Sequence, residues 1–369
     1  EGTEDYDANK KIYDEFMAKL EKDDCMSFIK QELENVNSQI KELKNSGTDG
    51  LEIKTLEISK QALEWRLEKN ISYTKSNMNS FISIWEQNQN TIEQIKDSEK
   101  TQSLTYEDKY SQKNAEATAA ICRYAIENNI QDKKALFKES ECILGTDADM
   151  NLINVFSGYS IFIIILIVVI AGTIISEEFN KGTIKLLLVR PFSRAKILLA
   201  KFITVVITVL FIMVVTVILQ FIVGGIFFGF DSLSIPAVIY DHSAGKIIEM
   251  GIFKNILLTG LGKLPIYVLL GTLAFALSTI FNNTPVAITI TLMGYMASSI
   301  VNQFAYYYDI KWLKFFVTPN WDFTQFFYGG LPLMKGVTVP FSVVICLIYF
   351  AIMISVSFVV FKKRNIKNI

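Results

Sequence analysis

The sequence predicts an all-α polytopic membrane protein carrying a helical extracytoplasmic domain, and three observations carry that prediction. Five apolar stretches are each long enough to cross a hydrocarbon core about 30 Å thick, which takes roughly 20 helical residues. Charge divides by halves: residues 1–150 hold 20 Lys+Arg and 30 Asp+Glu, whereas residues 151–369 hold 16 and 7. The whole chain, 51% hydrophobic with a formal charge of −1, therefore hides a polar part of net −10 joined to an apolar part of net +9.

In the polar part, 1–150, Ile29, Leu33, Val36, Ile40 and Leu43 alternate spacings of four and three, the pattern of a coiled-coil seam. The turn-rich Ser46–Gly50 then precedes a second amphipathic stretch, Leu51–Asn70, so an antiparallel helical hairpin is expected. Segments 77–98 and 111–140 also read as helical, and the polar TQSLTYEDKYSQKN, Thr101–Asn114, reads as a loop. Two roles fit such a domain: a solvated helical body with no ligand, or a module that receives a substrate or partner. Cys25, Cys122 and Cys142 lie here and Cys346 in the last apolar stretch. Cys122 and Cys142 could pair, but the odd number and the absence of a CxxC favour no disulfide.

The spans fall at 155–175, 202–229, 257–281, 285–305 and 340–361, with Asn282, Asn283, Thr284 and Pro285 as a minimal break between the third and fourth. Lys263 and Pro265 interrupt the third, so its first turns are expected at the interface and Ile266–Phe281 as its clean span. The connection 176–201 and the tail collect ten bases, Lys181, Lys185, Arg190, Arg194, Lys196, Lys201, Lys362, Lys363, Arg364 and Lys367, against Glu177 and Glu178. Connections 230–256 and 306–339, with the end of the third span, carry six bases. The bias places the richer side, with the C-terminus, in the cytoplasm and residues 1–150 outside. Export of a polar domain of that size calls for a further apolar helix before Glu1, six spans in the full gene.

Catalytic chemistry finds little support. His242 is the sole histidine, without a second for a zinc site or a nucleophile to serve, and it reads as a loop residue. Gly260–Leu264 reads GLGKL, a GK pair without the hydroxyl residue that a phosphate-binding loop needs for magnesium. The chain is thus expected to be no enzyme, with no cofactor, metal or nucleic acid of its own. The ring-rich stretch Tyr306–Gly330 suits an interfacial belt or short re-entrant helices, or a substrate path in which Trp321 and Phe326 take part. Lys263 either snorkels to headgroups or faces a cavity and attracts an acidic group.

One stretch remains, SEEFNKGTIKLLLVRPFSRAK, Ser176–Lys196, with two acids and five bases between two spans. Ser176 can cap a short helix whose positive end suits Glu177 and Glu178, Gly182-Thr183 permits a break, and Pro191 stops the run at Arg190. Ser193 can cap the next helix, which carries Lys196 and Lys201 into the membrane. Phe179, Ile184, Leu187 and Leu188 then need burial against lipid headgroups or a groove in another protein.

This stretch resembles the cytoplasmic loop of the type 2 ATP-binding-cassette permeases: an acidic-aromatic pair, a Gly-Thr, an apolar run, then Arg-Pro and a base before the next span. ALEWRLEKNI (Ala62–Ile71), TPNWDFTQFFYGG (Thr318–Gly330) and FKKRNI (Phe361–Ile366) are similar to segments of bacterial members with a large outer insertion between their first two spans. The resemblance implies a multi-pass permease subunit of the bacterial cell membrane, paired with a second, like or unlike, permease. Each would dock a coupling helix on a cytoplasmic ATPase subunit, likewise in two copies, and ATP and Mg would belong to that partner. Glu177, Glu178 and Phe179 would be the docking end, Lys181 would lie beside it, Gly182 and Thr183 would form the bend, and Arg190 and Pro191 the exit. Spans this apolar suggest an amphipathic or hydrophobic cargo, such as an antimicrobial peptide or a lipid-like molecule. Two other readings stand beside it: a membrane sensor whose outer domain binds a peptide or partner, and a structural anchor that transports nothing.

Overall fold

Backbone hydrogen bonds that lipid cannot replace, and apolar stripes that water will not tolerate, sort this chain into helices of two kinds. The computed structural model describes residues 25–47, 50–73, 77–130, 155–183, 193–228, 230, 236–308 and 310–363. Two units emerge, Glu1–Leu136 with Val238–Tyr240 and Ala244–Ile248, and Phe137–Ala237 with Asp241–Ser243 and Glu249–Ile369.

The first, polar unit contains helices α1 (Cys25–Asn45), α2 (Leu51–Glu68), α3 (Asn77–Thr101) and α4 (Tyr106–Glu127). The expected hairpin is α1 and α2: Cys25, Ile29 and Leu63 are buried together, with Leu33, Val36, Leu67 and Tyr73 against them. Gly47, at φ +72°, supplies the left-handed turn after α1. Helix α3 pairs with α4, the one burying Phe81, Ile82 and Trp85 and the other Ala115, Ile121, Cys122, Ala125 and Ile126. Trp65 of α2 meets Trp85 edge to face at 4.5 Å between centroids.

The loop expected over 101–114 is shorter than its polarity suggests, because α4 begins at Tyr106. Thr105 accepts from the Asp108 backbone N–H at 3.1 Å and Asp108 accepts from the Thr105 N–H at 2.8 Å, a reciprocal cap that starts a helix on polar residues. Helix α4 ends at Glu127, short of the 140 expected, because Asn128 caps it and Asn129 turns at φ +53°; residues 131–140 lie outside the described residues.

The second unit is a helix bundle. It contains a single turn α5 (Val155–Gly158), then α6 (Ser160–Asn180), α7 (Arg194–Phe228), α8 (Ile252–Phe281), α9 (Thr284–Tyr307) and α10 (Val339–Lys363). Apart from α5, all are long and apolar enough to cross a membrane, and the chain is an all-α polytopic membrane protein. Between α7 and α8 the sequence expectation of a plain loop fails: β1 (Ala237–Asp241) and β2 (Lys246–Met250) form a two-stranded hairpin. Its β-branched residues and a turn closed by Gly245 at φ +62° favour that geometry over helix.

Helix α8 is the axis, with 61% of its apolar window buried against 11% for α10. Gly271 allows that density: a Cβ there would stand 3.1 Å from Ile167 of α6 and 3.3 Å from Val205 of α7. The helix runs unbroken from Ile252 through Pro265 to Phe281, longer than a hydrocarbon core requires. Hydroxyl groups inside the bundle bond back along their own helices, Thr272 to the Val268 carbonyl and Thr279 to that of Phe275, and so cost the bilayer nothing. The break to α9 is two residues rather than four. Asn282 adopts φ +50°, Asn283 caps Val286 N–H at 3.2 Å, and Pro285 sits in the first turn of α9.

Candidate functional site

The charged connection begins where α6 should have ended by hydropathy. Instead α6 continues to Asn180, and Ser176, expected as a cap, lies fully buried inside it. Its hydroxyl bonds the Gly172 carbonyl at 2.7 Å and the Thr284 hydroxyl at 2.5 Å, while its N–H reaches the Ser278 hydroxyl at 3.1 Å. Ser176 thus ties α6 to the end of α8 and the start of α9.

Glu177 and Glu178 consequently sit on the last turn of a span, at the negative end of its dipole, not on the positive end of a separate helix. Bases compensate them. Lys201 of α7 meets Glu178 at 2.6 Å and Lys181 meets Glu177 at 3.1 Å. Thr183 also donates to Glu178, at 2.5 Å, which folds the chain back on itself just after Gly182. Gly182 has φ +68°, a left-handed residue that ends α6 as the sequence suggested.

Phe179 differs most from expectation. Its ring is 4% exposed and packs nearly perpendicular to Phe361 of α10, centroids 6.4 Å apart. A ring used inside its own chain presents nothing to a partner, so of the expected docking end only Glu177 faces outward, beside Lys181 and Gly182. Arg190 and Pro191 lie outside the described residues. At the far stem Ser193 accepts from the Lys196 N–H at 3.3 Å, the expected cap of α7, and Arg194 Nη1 donates to the Lys362 carbonyl at 3.3 Å.

The opposite end of the bundle holds the second group of candidates. Lys263 pairs with Asp322 at 2.7 Å, their side chains 17% and 32% exposed. The other oxygen of Asp322 accepts from the Thr324 N–H and hydroxyl. Trp321 is buried against Tyr295, centroids 6.3 Å apart, and Phe326 packs on Leu313, Met334 and Val337. The ring-rich segment contains two short 3-10 stretches, Lys311–Phe315 and Phe323–Gly329. At its centre stands Asn320, which sequence reasoning missed. Fully buried, it donates to the Lys314 and Phe316 carbonyls at 2.7 and 2.6 Å and accepts from Ser342 of α10 at 2.8 Å. A polar residue in an apolar, aromatic run was the available signal.

Nearby, the His242 N–H donates to the Tyr328 carbonyl at 2.8 Å, so this residue serves the backbone of a turn. Burial, then the Asp241 carboxylate, raises the Tyr328 hydroxyl above its usual pKa. Among the described residues no three His, Cys, Asp or Glu converge as metal ligands. Cys25, Cys122 and Cys346 are buried free thiols, while Cys142 lies outside the described residues.

Residues 119–367 match a family described as "Protein of unknown function (DUF2705)". The chain belongs to that family. The DUF2705 match begins within α4 and takes in every span and the whole charged connection. Two relatives in Bacillus subtilis (strain 168) are similar. The "Uncharacterized protein YhcI" is 35% identical over 202 residues, 54% of this chain and 64% of YhcI. The "Uncharacterized membrane protein YdbK" is 30% identical over 228 residues, 61% of this chain and 87% of YdbK. The chain thus spans somewhat less than two thirds of YhcI. No solved structure matches.

Proposed function

We propose that this DUF2705 protein is the membrane-spanning permease subunit of an ATP-driven exporter, its α6–α7 connection docking on a separate cytoplasmic ATPase. One observation carries the reading: both stems of that connection are braced to the bundle, Glu178 by Lys201 and Arg194 by the Lys362 carbonyl. A connection held at both stems can transmit a push, whereas one tethered to lipid by its bases alone cannot. Glu177 and Lys181 supply the outward-facing charge for a partner groove, Gly182 and Thr183 the turn, and Arg190 and Pro191 the return. The subunit lies in the bacterial cell membrane with residues 1–150 outside and the C-terminus in the cytoplasm. It works beside a second permease, and ATP with its magnesium stays on the ATPase. Its cargo is amphipathic or hydrophobic.

The test is to solubilise the tagged full-length protein from its native membranes and identify what accompanies it. A soluble subunit bearing a Walker A motif is expected, and Gly182→Pro should abolish the membrane subunit's effect on ATP hydrolysis without preventing insertion. Absence of a nucleotide-hydrolysing companion, or labelling of Asn180→Cys from outside intact cells, overturns the proposal. Recovery of a kinase instead would turn the reading to a membrane sensor.

A further inference from the structure

A contact from each stem of the connection reaches one element, the C-terminal end of α10. Phe361 is 1% exposed and receives the Phe179 ring from the first stem, while the Lys362 carbonyl, in the last turn of the helix, receives Arg194 from the second. Between its ends α10 packs by one face, Phe350, Met353, Ile354 and Phe358 lying against the core, while 11% of its apolar window is buried and Val344, Leu347, Ile348 and Ile352 are exposed. Its other end is fixed, because Ser342 donates to Asn320 at 2.8 Å with both residues fully buried, and the Cys346 thiol reaches the Asn320 carbonyl at 3.5 Å. A helix pinned at one end, gripped at the other and packed on one face between is a rod with a pivot and a handle.

We propose that α10 is the span moved by the α6–α7 connection, with Phe361 as the positioning residue that joins them and Asn320 as the pivot. The inference rests on reading that connection as the ATPase contact. Force on the connection passes through Phe179 into Phe361 and through Arg194 into the end of α10. The tilt that follows is resisted least by α10, whose apolar window is the least buried of the five spans, and most by α8, whose window is the most buried.

Spin labels at Asn180→Cys and Lys363→Cys, both exposed, report the grip in full-length protein in lipid nanodiscs, with the native cysteines replaced. A single narrow distance distribution is expected. Phe361→Ala should broaden it by about twofold or more, by releasing one clamped state into several, while Phe361→Leu should keep it narrow. Unchanged width in a folded Phe361→Ala protein overturns the inference. Should that variant fail to fold, Arg194→Gln, at a partly exposed side chain, must broaden the distribution or the grip is refuted. With the copurified ATPase and ADP–vanadate, the distance from Lys363→Cys to Phe281→Cys should shift in the parent and not in Phe361→Ala. An equal shift in both sinks the role of Phe361. If no ATPase copurifies, the coupling reading falls by itself, and the width of the first distribution still decides whether the grip exists.

Discussion

The polar unit and the membrane unit use opposite materials for the same task. In the first, helices are joined by an apolar stripe and decorated with ion pairs in water, such as Lys44–Glu57, whose side chains are 56% and 50% exposed. In the second, glycine and hydroxyl residues set the helix approach, and the ion pairs among the described residues sit at the ends of the spans, where each fixes one position. Apolar area cannot specify a partner in a solvent as apolar as itself, so close approach and placed charge carry the specificity instead.

The largest effect that would break this comparison lies at Gly271. Gly271→Leu forces a side chain into atoms already at van der Waals distance from the backbone, on the most buried span. A loss of about 3 kcal/mol is expected, seen as failure to recover monodisperse protein in detergent. Normal recovery would mean that the bundle is looser than its glycine contacts imply. Next comes Lys263→Met. It strands the Asp322 carboxylate and should cost about 2 kcal/mol in thermal unfolding, with much of that recovered in the double variant Lys263→Met/Asp322→Asn. The matching cycle on Lys44 and Glu57 should give a coupling below about 0.5 kcal/mol. Equal couplings would erase the distinction between placed and decorative charge.

What the sequence disclosed followows the same divide. The spans were legible because hydropathy is additive along the chain, and so were the Gly182 turn and the Ser193 cap, whose signals are local. Continuation of α6 past Ser176 was not, since it depends on Ser278, Thr284 and Lys201, all remote in sequence. The burial of Phe179 depends on Phe361 for the same reason, and no window of residues contains both. Lys263 read as an unpaired base because its acid lies 59 residues away. The hairpin at 237–250 was missed through brevity, as strands of five residues leave little periodicity to count. In the polar unit the α1–α2 seam was evident, yet the start of α4 was hidden because polar residues were read as loop when they were a cap.

That cap supplies a smaller test. Thr105→Ala removes one half of the reciprocal bond and should lower the stability of the polar unit by about 1 kcal/mol, with the first turn of α4 losing amide-exchange protection. Protection lost throughout α4 would show that this helix depends on its cap more than on its packing against α3.

The smallest effect is titratable. Glu93 accepts from Lys54 at 2.5 Å and from Lys96 at 2.7 Å. Partial burial raises its pKa, but those two ammonium groups outweigh burial and hold it below the usual carboxylate value. Because the folded-state pKa is the lower one, the contribution to stability is present above the unfolded value, about 4.3, and fades as pH falls through the folded value. Solvent screening keeps it under about 0.5 kcal/mol. Glu93→Gln should therefore flatten the acid limb of the unfolding profile slightly, and high salt should do the same to the parent. An acid limb unchanged in Lys54→Met/Lys96→Met would assign the acid sensitivity to some other carboxylate.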